Sequence, residues 1–133
     1  MTQRSTRLLF GVAGLFNFGA VLLFLPSPGI GRAMGLLPVP TGNMFEYVGL
    51  AAVFLFGIGY WMVARAPEQN RGIVQLGLAG KILVVSIALA YFFVGTANLR
   101  LLGLISGDLV FSVLFAWYLV AEPSDSVQAP RGP

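Results

Sequence analysis

Five residues bring charge or polarity into otherwise apolar stretches of this chain: Asn17, Glu46, Tyr60, Lys81 and Asp108. A charge at the centre of a membrane-crossing helix costs about 2.5–3.5 kcal/mol on insertion scales, so the mid-block residues Asn17, Lys81 and Asp108 each need a partner or a wet cavity. Lys81 and Asp108 together offer an ion pair. Its ammonium can hold an anionic or carbonyl group, and its carboxylate can set the local charge or relay a proton. Asn17 both donates and accepts hydrogen bonds. Other chemistries are closed to the chain. It has no cysteine and no histidine, which removes disulfides, thiolate catalysis, Fe–S clusters, His-ligated haem, copper or zinc, and histidine base catalysis. No metal site is expected and no cofactor motif is present. A redox role would need a bound organic cofactor or a partner subunit carrying the metal.

The elements that position these residues are four apolar blocks, about Leu8 to Leu25, Met44 to Ala64, Ile73 to Val94 and Leu101 to Val120. A helix needs roughly 20 residues to cross the hydrocarbon of a bilayer, and backbone groups in lipid must be satisfied within their own segment. The chain is 57% hydrophobic and 10% charged, whereas a soluble domain has about 25% charged residues. The expected fold is all-α, an integral membrane four-helix bundle in one domain, residues 1–121. Residues 122–133 are expected to form a disordered cytoplasmic tail. The first block has a basic start but no small-x-small cleavage site after it, so it reads as a retained helix rather than a signal peptide.

Arg4, Arg7, Arg65 and Arg71 fall on one side of the blocks, while Arg32 and Arg100 fall on the other. The positive-inside bias predicts a multi-pass protein of the cell inner (plasma) membrane with both termini cytoplasmic. Its surroundings are the lipid bilayer. The eight basic residues are spread along the chain and form no nucleic-acid footprint. Trp61, Trp117 and Tyr118 read as an inner aromatic belt. Arg65, Glu68 and Arg71 read as solvated loop charges, and Arg100 as an outer-interface anchor. The Pro/Gly-rich loop from Pro26 to Asn43 reads as a tethered connector along the outer interface or over the bundle mouth.

At 1.5 Å per residue, Lys81 lies roughly 12 Å, Asn17 roughly 14 Å and Asp108 roughly 18 Å from the inner ends of their blocks. The three share a layer near the midplane. The third and fourth blocks have a very short link and should be antiparallel neighbours, which makes a Lys81–Asp108 pair reasonable. Small residues accompany each polar one on the same helical face: Gly77 and Ala88, Ser112 and Ala116, Ala13, Gly14 and Ala20. Gly103 and Gly107 make a GxxxG beside Asp108. A polar track is expected to run Glu46, then Asp108, Asn17 and Lys81, then Tyr60. Each member also has a structural reading. The pair can fix register, Asn17 can join helices, Glu46 can be interfacial and Tyr60 can be belt or packing.

Four helices, the Pro/Gly-rich first outer loop, and Gly57-Ile58-Gly59-Tyr60-Trp61 near a helix end resemble the DoxX-like small four-helix bacterial membrane proteins. Asn70-Arg71 followed by Gly80-Lys81, and Gly107-Asp108-Leu109, look like elements such a family repeats. The resemblance covers about Arg7 to Val120 and lies mostly in architecture. It implies an association with quinone-linked sulfur oxidation and membrane redox complexes, and carries no catalytic residue with it.

Three functions compete. The first is a buried polar midplane site that binds or passes a small molecule, ion or proton, which predicts a cavity reaching the layer. The second is an accessory or structural subunit with a membrane-protein partner, or a homo-oligomer, which predicts a dry, closed ion pair. The third, ranked last, is a membrane enzyme acting on a lipophilic substrate. Its catalytic residues are unknown, because no spacing identifies a reaction.

Overall fold

A computed structural model describes residues 1–122 of the chain. The predicted tail beyond Glu122 lies outside the described residues. Among them the secondary structure is helical throughout: α1 (Gln3–Phe24), a short α2 (Ile30–Ala33), α3 (Met44–Arg65), a 3-10 turn (Glu68–Asn70), α4 (Arg71–Phe93) and α5 (Leu99–Ala121). Four of these helices, spanning 22 to 26 residues with the turn counted in, are long and apolar enough to cross a membrane.

The helices extend beyond the apolar blocks because capping, not hydropathy, sets their ends. The Thr2 hydroxyl accepts from the Ser5 N–H at 3.2 Å and starts α1 ahead of Leu8. Asn43 accepts from the Glu46 N–H at 3.0 Å and opens α3. Asn98 does the same for Leu101 at 3.1 Å and opens α5.

α1 packs closely on α3, and α4 on α5. At one end of the bundle α1 and α4 begin and α3 and α5 finish. This end carries Arg4, Arg7, Arg65 and Arg71, and we call it the basic end. The opposite, loop end carries residues 25–43 and the α4–α5 link. The aromatic core sits toward the basic end. Phe10 meets Phe115 at 4.9 Å between ring centroids, and Tyr60 meets Phe115 at 5.1 Å. Glycines seat other rings: a Cβ at Gly57 would fall 2.6 Å from Phe18, and one at Gly107 would fall 2.8 Å from Phe16.

Several expectations change. Tyr118 is not a belt residue but is buried against Phe10 at 5.3 Å, whereas Trp61 and Trp117 are exposed. Arg71 is not a solvated loop charge. Its guanidinium donates to the Leu119 and Glu122 carbonyls and so caps α5, where helix ends leave acceptors unpaired. The two glycines of the GxxxG behave differently: Gly107 seats Phe16, while Gly103 faces open space. The Pro26–Asn43 segment folds over the bundle mouth. Asn98 donates to the Gly35 carbonyl at 2.6 Å and Arg100 to the Met34 carbonyl at 3.0 Å, which places Leu36 inside.

Candidate functional site

Lys81 on α4 and Asp108 on α5 face each other across the close helix pair, with Nζ 2.5 Å from Oδ1. The ammonium also donates to the Asn17 Oδ1 at 3.3 Å, and the Asn17 Nδ2 donates to the Val53 carbonyl on α3 at 3.1 Å. Chemistry fixes the amide's orientation here, since lysine only donates and a backbone carbonyl only accepts. One chain of hydrogen bonds therefore joins α5, α4, α1 and α3 through a single layer.

The far side of the ammonium meets aromatic rings. Phe111, Phe16 and Tyr60 lie 5.2, 5.4 and 5.5 Å from Nζ, centroid to nitrogen. Such contacts partly replace the hydration that burial removes. Lys81 has three N–H donors. Two are taken by Asp108 and Asn17, and the rings cover the remaining side. Asp108 is the more open partner: its side chain is 16% exposed against 5% for Lys81. Its Oδ2 accepts no hydrogen bond from any described residue, while its backbone carbonyl accepts from the Ser112 hydroxyl at 2.8 Å.

The pair lines a cavity of about 400 Å³. Asn17, Tyr60, Gly77 and Leu104 also face it. A second cavity of about 450 Å³ lies toward the loop end, roofed by Pro38, Val39 and Pro40. The two share Phe24, Gly49, Leu50, Val84 and Ile105 as lining residues.

Of the five residues singled out from sequence, Asn17, Lys81, Asp108 and the ring of Tyr60 come together. Glu46 does not join them. It lines the upper cavity, but its carboxylate turns back to the Thr41 N–H, at 3.0 Å, and the Gly42 N–H, at 2.6 Å. It thereby anchors the loop to the start of α3, in the manner of an acidic N3 residue. The expected polar track is thus a single layer with an apolar chamber above it.

Sequence reasoning missed Phe16 and Phe111, two rings of the cage. Each adjoins a polar site position in the sequence or on the helix face, yet an aromatic residue in an apolar block carries no distinguishing signal.

No family model, curated protein or solved structure matches the chain.

Proposed function

We propose that this chain is a multi-pass protein of the cell inner (plasma) membrane with four spans and both termini cytoplasmic. We propose further that Lys81, Asp108 and Asn17 form a midplane site that holds or passes a small molecule. Support for the membrane comes from the outward faces. Leu8, Leu15, Leu55, Leu83 and Val113 are each at least 60% exposed, on four different helices. Soluble monomers rarely expose contiguous apolar surface on this scale.

The observation that carries the site is that the ion pair borders a cavity instead of being sealed. A pair serving only to fix helix register has no use for empty space beside it, and Asp108 borders a cavity instead of packed side chains. Ionisable residues in a membrane interior mark substrate or ion paths by default.

The test is native mass spectrometry of the gently extracted protein. We expect a small-molecule adduct on the wild type that is lost from folded Lys81→Met/Asp108→Leu. Identical spectra for the two folded proteins would refute the site.

A second reading, an accessory subunit of a membrane redox complex in line with the DoxX-like resemblance, is favoured by the open space at Gly11, Gly19, Gly72 and Gly103. These helix faces admit close approach by a further membrane helix. Stable co-purification of a partner, lost on Gly103→Leu, is its expected signature.

A further inference from the structure

Resting on the midplane-site reading, the geometry points to the ligand class and its route: a neutral lipophilic molecule bearing one hydroxyl donor, entering sideways from the bilayer between α3 and α4. Three observations converge on it.

The first is the gap itself. Toward the basic end α3 and α4 touch. A Cβ at Gly59 would lie 3.0 Å from Ile73, and one at Gly77 would lie 2.6 Å from Tyr60. Toward the loop end no such contact is made: Gly49 of α3 and Val84 and Ile87 of α4 line the upper cavity, and all three are exposed. The opening therefore faces the hydrocarbon, and Pro38–Pro40 roof it against the aqueous side.

The second is the lining. Between the opening and the ion pair the walls are apolar, and the carboxylate of Glu46 is occupied by Thr41 and Gly42. An ion or a hydrated solute would cross this chamber with no polar group to replace its water. An apolar body fits it, since the two chambers, about 450 and 400 Å³, are each within the range of small-molecule sites.

The third is the floor. Lys81 and Asp108 cancel in charge, so a charged head finds no net attraction. Two of the three Lys81 donors go to Asp108 and Asn17 and aromatic rings cover the third side, whereas the Asp108 Oδ2 has no donor among the described residues. The unmet demand is for a hydrogen-bond donor, which a hydroxyl supplies and an ether or ester does not.

The experiment uses the full chain in phospholipid vesicles with two photoreactive probes: a diazirine-bearing long-chain alcohol and its methyl ether. Crosslinks are mapped by peptide mass spectrometry. The alcohol should label cavity residues such as Leu104 and Ile105 about tenfold more than the ether, as one hydrogen bond to a charged acceptor gives. Gly49→Leu tests the route by filling the opening from a position where an added Cβ meets nothing within 4 Å. It should abolish labelling of Leu104 without lowering thermal stability. Equal labelling by alcohol and ether overturns the ligand class, and undiminished labelling in Gly49→Leu overturns the route. Either result leaves the midplane site standing if the native adduct still depends on Lys81 and Asp108. Loss of that dependence, by contrast, removes the site itself.

Discussion

Cutting one partner from the Lys81–Asp108 pair should harm the bundle far more than cutting both. Removing a single member of a buried pair typically costs about 3–5 kcal/mol, because an uncompensated charge stays behind. The two single losses should be unequal. Asp108→Leu leaves an ammonium at 5% exposure, held only by the Asn17 oxygen at 3.3 Å and three rings. Lys81→Met leaves a carboxylate at 16% exposure on the border of a cavity of about 400 Å³, so less of its charge is enclosed by packed protein. We expect Asp108→Leu near the upper end of that range and Lys81→Met near the lower. Lys81→Met/Asp108→Leu replaces the pair by side chains of similar bulk, a change that is commonly neutral or stabilising. The coupling energy is then the sum of the two single losses, at least ~6 kcal/mol, well above the ~0.5 kcal/mol within which independent sites add. Equilibrium unfolding in mixed micelles, all four proteins side by side, measures it. Additive losses would falsify the buried pair, and the reverse ranking of the single variants would remove the argument from unequal exposure.

Other perturbations probe the supports of the site. Gly77→Ala drives a Cβ to 2.6 Å from the Tyr60 ring and hydroxyl. It should lower stability by about 1–3 kcal/mol, while Gly103→Ala, facing open space, should gain up to about 1 kcal/mol from helix propensity; thermal melts in detergent separate the two. Arg71→Ala should lose about 1.5–3 kcal/mol by leaving both carbonyls without their donor, and Arg71→Lys should lose less, its ammonium lacking only the planar fork that meets the two at once; amide exchange at the end of α5 reads the loss locally. Asn98→Ala removes both the cap of α5 and the tie to Gly35; a cost of about 1–2 kcal/mol and faster proteolysis between Gly35 and Gly42 are expected.

Much of the architecture was legible because a membrane-length helix needs only composition and length, both of which survive without tertiary knowledge. The polar layer was legible for a related reason. Rise per residue converts sequence position into depth, so Asn17, Lys81 and Asp108 fall at one level before any packing is known. Azimuth was harder to read. Tyr118 sits near a helix end like Trp117, but the two point about 100° apart on the helix, and only the rings around Phe10 decide which is buried. The partners of Glu46 and Arg71 were hidden for another reason. Each spends its charge on backbone groups a few residues away or at the end of a different helix, and such partners leave no trace in spacing or hydropathy. The separation of α3 from α4 was likewise hidden, since it depends on which helix pairs pack closely.

The largest fully buried side chains, Thr6, Phe10, Tyr60, Val63, Val74, Phe115 and Tyr118, all lie on the basic-end side of the ion-pair layer, while the loop end has smaller or partly open contacts such as Leu36, Ala88 and Ala97. Cohesion in this bundle is therefore graded along its axis. Thermal fluctuation must concentrate where few contacts have to break. The basic end then serves as a fulcrum: small spreading motions about it widen the loop end most, and amide protection along α3 and α4 should fall steadily from Val63 and Val74 toward Gly49 and Tyr91.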